Sequence, residues 1–305
     1  MSTGLHGHEL TSFTLDCDGV GINGDRAGPR EAPTALLVHG YPDDRSVWDA
    51  VAINLAADFH VVRYDVRGSG ESDRPRDIAA YRLERLVRDL EAVINAVSPG
   101  APVHLIGHDW GAIQGWEAVS EPRLSGRVAS FTALGAPSLD HAGMLLRRHF
   151  RQPAAWRDLA QQFWRSWYVA AFQLPGPPLA WRLGLDRAWP VIMQHLEKAP
   201  PAATAHQRRN GIGGMAWYRA NVIPRLRHPR PRRAHAPILQ IICRQDPHVI
   251  PATLAVDPRW APRLEQRELD AGHWLPLSDP AQLAAMIRAF VASSGWAAEA
   301  AQGVG

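Results

Sequence analysis

Two kinds of apolar pattern alternate along the chain. Short runs at 34–38 (TALLV), 60–64 (HVVRY), 103–106 (VHLI), 128–134 (VASFTAL) and 238–243 (ILQIIC) are apolar nearly throughout and end at glycine or polar residues. Such runs suit strands covered on both faces. Between them apolar residues recur three or four apart: Val47, Val51 and Leu55; a longer stretch over 81–97 stopped by Pro99-Gly100; Ile113, Trp116 and Val119; and 280–291. These spacings predict helices. A hairpin is expected near 13–23 and a short strand at 264–269. Strands alternating with helices imply a mostly parallel sheet with helices on both faces.

From about 138 to 235 the strand rhythm stops. This segment is rich in Arg and Pro and holds six of the 12 tryptophans: Trp156, Trp164, Trp167, Trp181, Trp189 and Trp217. A helical lid inserted into the sheet domain accounts for it. The expected organisation is a core in two parts, 1–137 and 236–305, around a cap at 138–235. The Ala/Gly-rich tail from Gly295 is expected to fray, and no internal repeat is evident.

Composition narrows the class. With 305 residues and 46% hydrophobic content the chain can bury one large α/β core with an added lobe. No run approaches a membrane span, and residues 1–10 lack the apolar segment of a secretory leader, so a cytoplasmic location is expected. Cys17 and Cys243 cannot make a disulfide framework, and no Cys/His spacing suggests zinc. The net charge of +3 is almost all arginine on its basic side, Lys198 being the single lysine. With abundant Ala, Gly and Pro this reads as the usage of a GC-rich genome. The basic run at 225–233 is broken by prolines and reads as a connector, so no nucleic-acid partner is expected.

The stretch that organises the chemistry is GHDWG at 107–111, between a strand and a helix. Glycines on both sides of Asp109 permit a sharp strand-to-helix turn. The spacing is that of a nucleophile elbow, with Asp109 where a serine more often sits; alone, it also fits a surface turn. A carboxylate at a helix N-terminus is favoured by the exposed N–H groups, so Asp109 is expected to be ionised and able to attack carbon. Three further signals follow strand ends, where open α/β sheets hold ligands. His39-Gly40-Tyr41-Pro42 offers a backbone N–H which, with that of Trp110, could form an oxyanion hole. Asp246 follows the strand ending at Cys243, and His273 follows the last strand. Nucleophile, acid and histidine in that order is the order of an α/β-hydrolase triad. Singly, Asp246 fits a turn before Pro247, His248 is a rival histidine, and His39 fits a loop brace.

Together these stretches resemble the α/β-hydrolase fold epoxide hydrolases. The likeness runs from about Thr34 to Val291 and rests on HGYP at 39–42, DVRGSGESDRP at 65–75, GHDWG at 107–111 and GHW at 272–274. Two shorter cap stretches are also similar: WYVAAFQLPG at 167–176 and AWYRAN at 216–221. The resemblance implies Asp109 as nucleophile, Asp246 and His273 completing the triad, and Tyr168 and Tyr218 as donors to the ring oxygen. It places the oxyanion hole at the Tyr41 and Trp110 N–H groups and substrate contacts at His39, Pro42, Trp110 and Trp274. No cofactor or metal is implied; the partners are an apolar epoxide and water, with a homodimer left open.

Haloalkane dehalogenases share the Asp nucleophile and resemble this elbow, Trp110 included; their second halide donor is often Asn at the position of Tyr41 or a lid Trp, so Tyr41 does not suit that role while the lid tryptophans leave it open. Fluoroacetate dehalogenases resemble GHDRG there, which Trp110 does not match. A non-catalytic hydrolase-fold binder would have no need of an intact Asp-His-Asp set. A further likeness is to hydrolase portions of bacterial proteins fused to a short-chain dehydrogenase; a dehydrogenase part and its nicotinamide cofactor are not expected here.

Overall fold

The computed structural model describes residues 9–197 and 204–295. The expectations for residues 1–8 and for most of the Ala/Gly-rich tail lie outside the described residues. The strands are β1 (Thr11–Asp16), β2 (Gly21–Ala27), β3 (Thr34–Val38), β4 (His60–Tyr64), β5 (Val103–His108), β6 (Val128–Leu134), β7 (Ile238–Cys243) and β8 (Leu264–Leu269). They form one sheet in the order β1-β2-β4-β3-β5-β6-β7-β8. The opening hairpin β1–β2 joins antiparallel, and every pairing from β4 through β8 is parallel. The hairpin is longer than its apolar signal because its exposed side is polar.

The chain runs from β3 out to β4 and returns on the other side of β3 as β5. Two loops therefore diverge at the C-terminal ends of β3 and β5, which opens a crevice there. Residues 39–42 and 109–110 lie at those ends.

The helices are α1 (Asp49–Leu55), α2 (Leu83–Val97), α3 (Trp110–Ala118), α4 (Leu139–Phe150), α5 (Trp156–Arg165), α6 (Trp167–Ala171), α7 (Pro177–Ala180), α8 (Asp186–Glu197), α9 (Gln207–Arg227), α10 (Leu275–Ser278) and α11 (Pro280–Ser293). The helix expected over 81–97 starts only at Leu83. A 3-10 turn, Ile78–Tyr81, precedes it because Asp77 accepts the Ala79 N–H at 2.9 Å and caps that turn separately. Side chains alternate across each strand. Leu36 of β3 accordingly joins the core shared with α2 and α3, while Leu37 joins the one shared with α1 and α11.

Helices α4 to α9 all fall between β6 and β7. Of these, α9 is anchored hardest, through buried polar side chains. Trp217 Nε1 donates to the Arg67 carbonyl at 2.9 Å. Asn221 accepts from the Leu83 N–H and donates to the Tyr81 carbonyl, both at 2.8 Å. Asn210 accepts from the Gly70 N–H at 2.8 Å and donates to Asp44 at 3.0 Å. Arg225 pairs with Glu117 and Asp140. A buried amide with all its partners holds its helix in one register, because any shift strands polar groups away from water. No helix among the described residues is long and apolar enough to cross a membrane.

Candidate active site

Strand β5 delivers the chain to Asp109 at φ 51° and ψ −116°, a conformation non-glycine residues rarely hold. The elbow is possible only because its flanks lack side chains. A Cβ on Gly107 would collide with the Gly111 backbone, and one on Gly111 would collide with the Val38 carbonyl. The turn hands directly to α3, so the Asp109 carboxylate sits at a helix N-terminus. Its Oδ1 accepts the Tyr41 N–H at 2.6 Å, and the Trp110 N–H also favours the carboxylate charge. Its Oδ2 is left facing His273 Nε2 at 3.8 Å. One carboxylate oxygen is thus held by the Tyr41 N–H while the other faces His273. The helix N-terminus alone would lower the Asp109 pKa. Burial outweighs it, with help from the Asp246 charge, and the pKa lies above the ordinary carboxylate value despite His273 and the two N–H bonds.

His273 follows β8 and is 2% exposed. Its Nδ1 meets Asp246 Oδ2 at 2.6 Å. The other Asp246 oxygen accepts the N–H groups of His248 and Val249 at 2.7 and 2.9 Å, which fixes the carboxylate. Burial opposes charge on Asp246, but the His273 charge and bond outweigh it and hold the pKa low. Burial likewise opposes the His273 imidazolium, yet the Asp246, Asp109 and Glu197 carboxylates raise its pKa to about 9. Glu197, at the end of α8, accepts the Trp274 N–H at 3.2 Å and also the His273 N–H. The cap thereby holds the loop that carries the histidine.

Above these groups lies a cavity of about 1030 Å³, lined mainly by aromatic and apolar side chains. Tyr218 from α9 and Tyr168 from α6 line it opposite Asp109, their rings 6.0 Å apart at 79°. Tyr218 packs edge-on against Trp110 (4.9 Å), Phe172 (5.0 Å) and Tyr41 (5.3 Å). Burial first, then the Asp109 charge, holds both phenols well above their usual pKa. They therefore stay protonated and able to donate.

The chain matches the alpha/beta hydrolase fold over residues 33–280. It belongs to the α/β-hydrolase fold family. Among curated proteins it is 37% identical over 286 residues to "Probable oxidoreductase EphD" of Mycobacterium tuberculosis, covering 90% of this chain and 48% of that one. It is 36% identical over 168 residues to "Epoxide hydrolase A" of the same organism, covering 54% of this chain and 48% of that one. The chain thus spans about half the length of these relatives. Among solved structures, a Bacillus megaterium epoxide hydrolase in complex with an inhibitor superimposes with a TM-score of 0.72 at 23% identity, covering 92% of this chain and 100% of that one. That likeness is one of fold.

Within this hydrolase fold, Asp109, His273, Tyr168, Tyr218, Tyr41, Pro42 and Trp274 all line one cavity, and Asp246 stands behind His273. Two expected substrate contacts do not. His39 is fully buried; its Nδ1 donates to the Gly40 carbonyl, and its Nε2 accepts the Val66 N–H at 3.0 Å. It braces the loop. Trp110 contributes its backbone N–H, but its indole is 1% exposed and packs behind Tyr218 rather than lining the cavity. Three groups were missed. His248 lines the cavity 5.0 Å from the His273 ring, Glu197 holds the histidine loop, and Asp43 accepts Trp274 Nε1 at 2.8 Å. His248 carried a weak signal as a histidine beside Asp246; Glu197 carried none, being 76 residues from His273. Among the described residues no group of His, Cys, Asp or Glu is placed to hold a metal.

Proposed function

We propose that the chain is an epoxide hydrolase that converts an apolar epoxide to a vicinal diol through an aspartyl ester. The observation that carries this reading is the pairing across one apolar cavity of a carboxylate nucleophile with two protonated phenols, Tyr168 and Tyr218. A strained three-membered ether needs a nucleophile at carbon and a proton donor at oxygen, and these groups supply both. The epoxide hydrolase names of several relatives support the same reading. The oxidoreductase name belongs to a protein about twice as long.

In the first step Asp109 Oδ2 attacks a ring carbon and the carbon–oxygen bond breaks. The oxygen gains its proton from a tyrosine, leaving a hydroxyalkyl ester on Asp109. Esterification removes the Asp109 charge, one of the three that raise the His273 pKa. The imidazole then loses its proton more easily and becomes a competent base. Neutral His273 takes a proton from water as that water attacks the ester carbonyl carbon. The carbonyl oxygen is Oδ1, already held by the Tyr41 N–H; the negative charge gathers there, with the Trp110 N–H as second donor. Collapse expels the diol oxygen, which takes a proton from His273, and the Asp109 carboxyl left behind, now carrying one oxygen from water, gives its proton back to the tyrosinate formed in the first step. A serine here would leave an ether that this machinery could not hydrolyse.

Halide release has fewer donors: of the five tryptophans lining the cavity, only Trp164, Trp167 and Trp189 remain for it. The Trp274 indole N–H is given to Asp43, the Trp181 indole N–H to the Tyr41 hydroxyl at 3.1 Å, and the Trp110 indole lies outside the cavity lining. The test is one turnover with styrene oxide or a long-chain alkyl epoxide in heavy-oxygen water, followed by peptide mass analysis. Label is expected on the Asp109 carboxylate. Diol formation without label on Asp109 would overturn the ester route. Turnover of 1-haloalkanes but not epoxides would favour dehalogenation.

A further inference from the structure

Of the 11 large hydrophobic side chains left exposed among the described residues, 10 lie within 138–235, a segment about a third of the chain. The most exposed are Trp164 at 81%, Leu183 at 79% and Trp167 at 67%. Trp164 and Trp167 also line the cavity, so exposed apolar side chains stand at its mouth. Leu179 and Leu183, 54% and 79% exposed, bracket Ala180 and Trp181 of the cavity wall. Exposed tryptophan and leucine gathered about a cavity mouth mark a docking surface.

Charge is divided along the same line. Residues 138–235 hold 16 of the chain's 33 Lys and Arg but only 4 of its 30 Asp and Glu, a net +12 against −9 for the rest. Part of this is neutralised, because Arg225, Arg230 and Arg232 pair with Glu84, Glu117 and Asp140. Exposed arginines remain on the helices that carry the apolar side chains: Arg147, Arg148, Arg151, Arg157, Arg182 and Arg187. A near-neutral sequence total therefore hides a cationic, tryptophan-bearing segment and an anionic remainder.

We infer that this cap face docks on an anionic lipid surface, presenting the cavity mouth to the bilayer. Tryptophan and leucine enter the headgroup boundary, arginine pairs with anionic headgroups, and the acidic core is held toward water. An apolar substrate dissolved in the bilayer then reaches the cavity without crossing water. A second copy is a poor occupant, since a two-fold contact through this face sets cation against cation. A nucleic acid would satisfy the arginines but leave Leu179, Leu183 and Val191 uncovered.

Flotation of the chain with phosphatidylcholine vesicles containing roughly one-third phosphatidylglycerol tests this, with pure phosphatidylcholine alongside. Binding is expected on the anionic vesicles, weaker on the neutral ones, and reduced when salt rises from ~0.1 to ~0.5 M. Arg182→Glu with Arg187→Glu should weaken it by about fivefold per arginine or more. Phe163→Glu with Leu183→Glu, outside the cavity lining, should weaken it comparably, while Arg76→Glu with Ile78→Glu on the core should not. Melts of all variants confirm folding. Docking needs no turnover, so Asp109→Asn should bind like the parent, which separates this result from the fate of the catalytic proposal. Failure to float with anionic vesicles overturns the inference. So does binding that responds to the arginine changes alone and is displaced by an oligonucleotide, or a dimer that the Phe163/Leu183 pair dissociates without altering flotation.

Discussion

The floor and the roof of the cavity are held by different means. On the floor, each reacting group follows a strand, and the two carboxylates are fixed by backbone: Asp109 by a positive φ and two N–H donors, Asp246 by the N–H groups of His248 and Val249. On the roof, Tyr218 and Tyr168 ride on helices held by side chains, and unequally. Tyr218 is 5% exposed, on a 21-residue helix pinned by Asn210, Trp217 and Asn221. Tyr168 is less buried, on a five-residue helix. Backbone-fixed chemistry should fail all at once when altered; side-chain-fixed chemistry should fail by degrees.

The largest effect is expected on the floor. His273→Gln should still open epoxide once and then stall as the Asp109 ester, with turnover lower by on the order of 10⁴. Single-turnover quench and intact-mass measurement of the ester distinguish this from loss of the first step. If the first opening is lost as well, His273 acts earlier than proposed.

Roof changes should be graded. Tyr218→Phe keeps the ring packing and removes one donor from a desolvated site, about a hundredfold in ring opening, or ~3 kcal/mol. Tyr168→Phe should cost less, roughly tenfold, because the five-residue helix that carries it holds its hydroxyl less firmly than α9 holds that of Tyr218. The double variant should lose close to the product of the two while melting within a few degrees of the parent. Equal single effects would erase the proposed difference between the two helices. A folded double variant with parental diol formation would make both tyrosines packing residues.

Weaker still, and read in stability, is the anchor of α9. Asn221→Ala leaves the Leu83 N–H and the Tyr81 carbonyl buried without their partner, a cost of about 2 kcal/mol. The melt should fall by several degrees. An unchanged melt would mean that α9 is held by its apolar contacts alone.

The same division explains what could be read in the sequence. The elbow, the Tyr41 loop and the order of Asp246 and His273 were legible because each is a local arrangement with a glycine or strand-end signature. The buried strands were legible for a similar reason, since burial on both faces leaves continuous apolar runs. Tyr168 and Tyr218 came only through family resemblance, because a lid tyrosine at helical spacing reads like any packing residue. Glu197 and Asn221 act on groups far along the chain, and no local pattern encodes such a meeting. Burial changed two readings: it raised the Asp109 pKa against the pull of the helix N-terminus, and it made His39 a brace and not a substrate contact.

The smallest effect concerns Asp43, which joins floor to wall through Trp274. Its carboxylate is 7% exposed and accepts the Trp274 indole N–H at 2.8 Å. Burial, reinforced by the Asp44 and Asp109 charges, outweighs that bond and His273 and raises its pKa from 3.8 to about 7. The folded state therefore keeps a proton that the unfolded chain releases near pH 4. The stabilisation is complete below the unfolded value and is lost as pH rises through about 7. Asp43→Asn keeps an acceptor for Trp274 but carries no charge at any pH. It should match the parent's melt near pH 4.5 and exceed it by a few degrees near pH 8, because only the parent then holds a desolvated anion. A melting difference that does not change between these two pH values would mean that Asp43 is ionised throughout. The charge of Asp109 would then share its pocket with a second permanent anion, and the floor would be more strained than its hydrogen bonds suggest.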